Sequence, residues 1–445
     1  MHSTSSGSWR DAVRPVRMQR IALVVPSMHQ RALLDRVSSA GVVELDALRP
    51  DIEAAVVAER RPDWSDRELE LRRRTAQAVP HGPVTALLGW TPAAKLGELA
   101  DALAPVGGAA VPLPSPRGVQ PPTLLRQKGR GQSFEVLVGT YTTVPYVDVD
   151  PALAAGIAYV AMFGMMFGDV GHGLLLLLGA VIVRSGRVGR LARLKPAWPF
   201  LAGAGAASVV FGVLYGEMFG PTGLVPVVWL SPVDNAVPLL LTAIGAGAVL
   251  LAGAYALGIV NRYREGGWGY ALYARTGIAG ALLFLALGGV AGGIYFGSDW
   301  LLAGSVLLGI AGLLLTFAGL LAASDGGGAG VLQAIVELFD VVVRLGSNVV
   351  SFARLAAFGL THAALGAIVW TGTVALWNGG SVPERLGAVL VLIAGTGVAF
   401  ALEALVAGIQ ALRLEYYELF SRVFDLDGRP FRPWRLPADE PEVTS

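Results

Sequence analysis

The sequence predicts an all-α polytopic membrane domain of about eight transmembrane helices, preceded by a small α/β cytoplasmic domain, on three observations. Of its 445 residues 54% are hydrophobic and only 15% charged, where soluble proteins carry about 25% charged residues. Charge is dense up to about Asp150 and at the C-terminus and sparse between. The sparse part is a series of apolar runs of bilayer-spanning length, rich in the glycine that membrane helices tolerate, 58 in all. This composition argues against a soluble enzyme. The near balance of 34 Lys and Arg against 33 Asp and Glu argues against nucleic acid as a partner. With no cysteine, disulfides, cysteine catalysis and cysteine-ligated metals are ruled out, and neither a cofactor nor a bound metal is expected.

The first twenty residues are polar and basic, with no apolar core of signal-peptide type, so the first 150 residues are expected to stay cytoplasmic. IALVVPS (21–27) reads as a strand, HQRALLDRVSSAG (29–41) as a helix and VVELDAL (42–48) as a strand, a small βαβ unit. A weaker copy runs through VTALLGW (84–90), AAKLGELADALAPVG (93–107) and AAVPLP (109–114). Between them, 59–80 reads as one short, highly charged helix whose Arg72, Arg73 and Arg74 form a solvated face. The Pro-, Gly- and Arg-rich stretch 113–132 reads as a linker or interfacial segment.

Beyond Asp150 the apolar segments are 152–167, 171–183, 197–219, 237–260, 276–296, 300–322, 349–377 and 386–412. Cytoplasmic loops carry an excess of Lys and Arg. The connection 184–195 holds Arg184, Arg187, Arg190, Arg193 and Lys195, and 261–275 holds Arg262, Arg264 and Arg275, whereas 220–238 and 296–300 hold none. A cytoplasmic N-terminus then requires two crossings before Arg184, with FGDVGHG (167–173) as a tight hairpin at the outer face. The count is eight spans with both termini inside, followed by a basic cytoplasmic tail, 425–445.

A charge inside a span costs about 2.5–3.5 kcal/mol on the insertion scale, so charges that persist are functional candidates. At 100° per residue Ser347, Ser351, Arg354 and Thr361 share one helix face, with Phe358 between them and His362 at its edge. Arg354 has no acidic residue at i±3 or i±4 to neutralise it. In the last span Thr396, Glu403, Gln410 and Tyr417 recur every seven residues, with Arg413 near the inner end. Asp169 and His172 lie at the outer hairpin, where they read equally as turn residues; Glu217 ends the third span; Glu337 and Asp340 precede the Arg354 helix. A fixed positive charge between two polar stripes suits a path on which a carboxylate loads from one side and unloads to the other.

Four motifs, MFGMMFGDVGHGLLL (162–176), FGVLYGEMFG (211–220), SNVVSFARLAAFGLTHAAL (347–365) and ALEALVAGIQALRLEYYELFSRVF (401–424), resemble subunit a, or subunit I, of V-type and A-type rotary ATPases. Weaker likeness extends through PVRMQRIALVVP, LLGWTP, PPTLLR and VPYVDVDP, in the same order. The resemblance implies a non-catalytic stator subunit that carries H+ or Na+ through two half-channels in a multi-pass cell-membrane protein. Its implied partners are a rotating proteolipid ring with an intramembrane carboxylate, the central-stalk-side and peripheral-stalk subunits, and the lipid bilayer. By motif position Arg354 matches the arginine facing the ring carboxylate and His362 the histidine two turns later. Glu403 and Arg413 match the acidic and basic pair of the last helix, and Asp340 an acidic position of the cytoplasmic half-channel. The resemblance also implies that the last two helices are long and tilted. The departure is in the N-terminal domain, where two small βα lobes are expected but the family's long coiled-coil arm has only a short helix at 65–78 to match it. A stand-alone ion-coupled transporter binding through Arg354 and Glu403 is the competing reading, weakened by the absence of a convincing repeat.

Overall fold

A computed structural model of the chain describes residues 16–59, 61, 64–114, 120–124, 152–187, 189, 195–324, 326–423 and 429–437. The linker expected at 113–132 and the basic connection at 184–195 lie largely outside these residues. The chain divides into two compact units.

The first unit is an antiparallel sheet with helices. Its elements are β1 (Met18–Pro26), α1 (Gln30–Ala40), β2 (Glu44–Leu45), α2 (Pro50–Ala58), α3 (Asp66–Gln77), β3 (Val79–His81), β4 (Val84–Pro92), α4 (Leu96–Leu103) and β5 (Ala109–Leu113). The sheet order is β2-β4-β1-β5, with β3 on β4. Both expected βαβ units form, but they interleave: β4 of the second lies between β1 and β2 of the first, the split-βαβ arrangement. Two separate lobes would each expose a small sheet; one shared sheet lets alternate residues of β1 (Ile21, Leu23, Val25) and of α1 (Leu33, Leu34, Val37) enter one core with Leu87, Leu99 and Leu103. Between β2 and β3 the chain makes two short helices rather than one. Pro50 opens α2, the Ser65 hydroxyl accepts the Glu68 amide at the start of α3, and Ile52, Val56 and Leu69 join them.

Residues 429–437, expected as part of a basic tail, belong to this unit. Trp434 is 8% exposed within the main core. Its amide donates to the Val43 carbonyl (2.7 Å) and its indole N–H to Glu70 (2.9 Å). The Glu44 carboxylate accepts the Arg432 amide (2.7 Å) and pairs with Arg429 (2.9 Å). Phe431 and Arg429 bridge Thr123 through backbone hydrogen bonds.

The second unit is helical: α5 (Ala152–Met166), α6 (Val170–Ser185), α7 (Trp198–Tyr215), α8 (Ala236–Tyr273), α9 (Ile278–Phe296), α10 (Asp299–Ala323), α11 (Gly327–Ser351), α12 (Ala353–Asn378) and α13 (Val382–Leu414), then a π-helical turn, Glu415–Phe420, and Ser421–Val423. Among the described residues five stretches are long and apolar enough to cross a bilayer: Lys195–Tyr215, Ala236–Tyr273, Ile278–Phe296, Asp299–Ala323 and Val382–Val423. The expected count of eight is thus met in part. The first two expected spans form helices of 15 and 16 residues, short of the usual 17–25. The span expected at 349–377 is divided at Phe352, where α11 gives way to α12. Phe352 is fully buried against α8, on the face of Gly247 that any larger residue would fill with a Cβ. Helix α13 has 33 residues, about 50 Å at 1.5 Å per residue, well beyond the ~30 Å hydrocarbon core.

One expected loop is helix instead. Helix α8 runs on through 261–273, bent at Gly267, and Arg262 is fully buried rather than a loop charge. Its guanidinium pairs with Glu265 (2.9 Å) and, with Asn261, donates to the Val423 carbonyl. Leu307, Ile368, Leu390 and Ile393 are each about two-thirds exposed, as side chains facing lipid would be.

Replacing Trp434 removes a core side chain and one hydrogen bond to Glu70, which Arg74 still holds. Trp434→Ala is expected to destabilise the first unit by about 3 kcal/mol; amide hydrogen exchange of β1 in the full-length chain, accelerated in the variant, is the check.

Candidate functional site

The site begins where α5 and α6 meet. Asp169 caps α6: one carboxylate oxygen accepts the His172 amide (2.8 Å) and the other the Gly220 amide (3.0 Å). The second bond depends on the turn after α7. Gly216 ends that helix in the left-handed region, Phe219 (φ 52°) and Gly220 (φ 96°) follow, and a Cβ at Gly220 would meet the Gly366 carbonyl of α12 at 2.7 Å. The turn is thereby pinned between Asp169 and α12, and the Val170 amide donates to the Glu217 carbonyl (2.9 Å).

Asp169, His172 and Glu217 are all buried. Of the two readings open for Asp169 and His172, their burial does not suit turn residues in outer water. His172 lies 5.4 Å, ring centre to ring centre, from His362 of α12. Phe167, Phe219 and Phe400 pack around the two imidazoles. His362 Nδ1 is in hydrogen-bonding contact with the Glu403 carboxylate of α13, both side chains being largely buried. Two lone pairs cannot face each other at that range, so the pair holds a proton between them. The Glu217 carboxylate is within electrostatic reach of His362, Asp169 and Glu403. Glu403 therefore pairs across to α12, not with Arg413 on its own helix, and Arg413 is exposed.

Cavities lie on both sides of this pair. One, of about 10 Å³, is lined by His172, His362, Thr396 and Glu403; it has room for about one water. The other, of about 200 Å³, is lined by Phe358, Thr361, His362, Leu402 and Glu403.

Two turns before His362, about 12 Å along α12, Arg354 is half-buried. One guanidinium nitrogen donates to the Ser351 hydroxyl (3.4 Å), and Ser351 in turn donates to the Glu418 carboxylate. The other terminal nitrogen, Nη1, is buried with no partner among the described residues. The remaining expected residues are more dispersed. Asp340 pairs with Arg344 on the exposed side of α11 (2.7 Å). Glu337 accepts from Gln333 (2.9 Å) and faces a cavity of about 820 Å³ with Tyr270, Tyr273, Arg275 and Thr316. Ser347 and Thr361 are exposed, and half-buried Gln410 has its amide oxygen unpartnered.

Sequence reasoning missed Glu415 and Glu418. The seven-residue stripe assumes a regular helix, which would turn Tyr417 inward beside Gln410. The π-helical turn inserts about one residue of register, so Tyr417 is 66% exposed while Glu418, 8% exposed, takes the inward place beneath Arg354. Glu415 is fully buried, both oxygens without a hydrogen bond. The acidic pair in EYYELF was the available signal.

Apolar helices of bilayer length around a buried cluster of ionisable residues define an integral membrane protein built to handle charge. Residues 83–193 match the V-type ATPase 116kDa subunit family. A-type ATP synthase subunit I of Aeropyrum pernix is 29% identical over 338 residues, covering 65% of this chain and 48% of its own length. That of Pyrococcus horikoshii is 28% identical over 378 residues (80% and 54%), and that of Archaeoglobus fulgidus 26% over 404 (78% and 58%). The chain spans about half the length of these curated relatives. The chain is thus similar to A-type ATP synthase subunit I over most of its length and to the V-type ATPase 116kDa subunit family over 83–193.

The π-turn register has a direct test in a chain with no native cysteine. Cysteines at 351 and 418 should be joined efficiently by a short bifunctional thiol reagent and cysteines at 351 and 417 poorly; the opposite ranking on mass spectrometry would restore the regular heptad.

Proposed function

We propose that the chain is the membrane stator subunit of a V/A-type rotary ATPase, hydrolysing nothing itself and carrying H+ or Na+ through two half-channels past a rotating proteolipid ring. The observation that carries this reading is Arg354: a half-buried guanidinium with one bond to Ser351 and a buried Nη1 lacking a partner among the described residues. Arginine cannot shed its charge, and an unpaired charge in an apolar bundle is costly. A carboxylate on a neighbouring subunit supplies the missing partner. Facing Arg354, that carboxylate is held ionised and gives up its ion; moved away into an apolar surface, it takes up another and becomes neutral again. Ser351 and Glu418 fix the guanidinium from the other side.

Two turns away the His362–Glu403 pair, with cavities on both sides, offers a polar route through otherwise apolar helices. It holds a proton and can hand it on without stranding a bare charge. Asp169, His172 and Glu217 extend that route along the α5–α6 junction; Thr396, Gln410, Ser347 and Thr361 add polar lining. On the other side Glu337 and Asp340 of α11 serve the cytoplasmic half-channel. The relatives named A-type ATP synthase subunit I support a place among other ATP synthase subunits; ring and stalk subunits are the partners this reading adds. Both termini are placed in the cytoplasm and the chain in the cell membrane. The split-βαβ unit, with its short α2–α3 pair in place of a long arm, serves as an abbreviated contact for the stalks.

In the assembled complex, Arg354→Ala is expected to abolish ATP-driven acidification of vesicles while the subunits still co-purify, and Arg354→Lys to fail largely, because a hydrated ammonium does not reproduce the planar fork. Glu403→Gln should transport at a reduced rate. Normal pumping by Arg354→Ala, or no co-purifying ring subunit with an intramembrane carboxylate, would overturn the assignment.

A further inference from the structure

We infer that Asp169, His172 and His362 form a binding site for a transition-metal ion of the zinc class. One ligand atom from each of the three lies within 4.8 Å of the others, and all three residues are buried. Tetrahedral zinc with bonds of about 2.0–2.1 Å holds its ligands roughly 3.3 Å apart, so rotations of about 1.5 Å at the side-chain tips close the site.

Three features distinguish this cluster from a chance meeting of polar groups. First, neither ring nitrogen of the buried His172 makes a close hydrogen bond among the described residues: Nδ1 stands 3.6 Å from an Asp169 carboxylate oxygen, with the Thr396 backbone nearby, although buried polar groups are otherwise nearly always satisfied. Second, His362 is held as metal-ligating histidines are: Nδ1 is bonded to the Glu403 carboxylate, which fixes the ring and leaves Nε2 as the ligand. Third, Asp169 is oriented by two backbone amides, from His172 and Gly220, with lone pairs to spare on each oxygen. The cavity of about 10 Å³ beside His172, His362, Thr396 and Glu403 is the place for a water as fourth ligand. Two imidazoles and one carboxylate, with no thiolate and too few oxygens for calcium or magnesium, suit Zn2+. The inference concerns binding alone and stands whether or not the same residues conduct ions.

The test uses the full-length chain purified in detergent through a tag without histidine, stripped with chelator and titrated with zinc chloride alone. Calorimetry and elemental analysis after gel filtration should give one zinc per chain. His172→Gln and Asp169→Asn should each weaken binding at least tenfold, and the His29→Gln/His81→Gln double variant should leave it unchanged. X-ray absorption at the zinc edge of the wild-type chain should show two imidazole nitrogens at about 2.0–2.1 Å, a measurement no misfolded variant can spoil. Less than about a tenth of a zinc per chain, a shell of oxygens without imidazole, or loss of binding in the His29/His81 variant would overturn the proposal.

Discussion

The contact between His362 and Glu403 is the constraint on which the rest of the helical unit depends. It places an imidazole and a carboxylate, contributed by different helices, among phenylalanines and alkyl chains. Breaking such a buried pair by removing one partner costs about 3–5 kcal/mol. The surrounding architecture serves to hold it. Phe352, seated on Gly247, sets where α12 starts. The left-handed turn at Phe219 and Gly220, locked to Asp169 and pressed on Gly366, closes the adjoining end. The aromatic rings exclude bulk water from the two imidazoles, and the cavities beside the pair leave space for only a little of it.

Arg354 and His362 lie two turns apart on α12, and Glu403 of α13 pairs with the second of them. The arginine is a permanent charge that can only attract or repel, whereas the imidazole–carboxylate pair can gain or lose a proton. On the proposed reading, α12 with α13 packed on it would hold a partner carboxylate ionised at one level and exchange protons at another. Among the described residues Arg354 Nη1, Glu217 Oε2 and Glu403 Oε1 are buried without a hydrogen bond, and the proposed stator reading supplies a partner for the first of them.

Much of this was legible in the residues. His362, Glu403 and Arg354 stand out because each interrupts an apolar run, and the membrane class follows from the length and composition of those runs. The pairings were not legible. Asp169 and His172 lie some 190 residues from His362, and only the packing of α5 and α6 on α7 and α12 brings them together. Tyr417 was misplaced because a periodicity argument cannot see a π-turn, and Arg262 because a run of Arg, Gly and aromatic residues that reads as a loop continues here as helix. In the first unit the strands other than β3 were legible as short apolar runs. Their interleaving into one sheet and the docking of Trp434 were not, since both are long-range contacts with no local pattern.

If the His362–Glu403 contact holds the helical unit together as argued, the two residues must be energetically coupled. A double-mutant cycle on the full-length chain, comparing the stability of His362→Ala, Glu403→Ala and the pair by denaturation in detergent, measures that coupling. The double variant should be less destabilised than the sum of the single ones by at least about 1 kcal/mol; strict additivity would contradict the account.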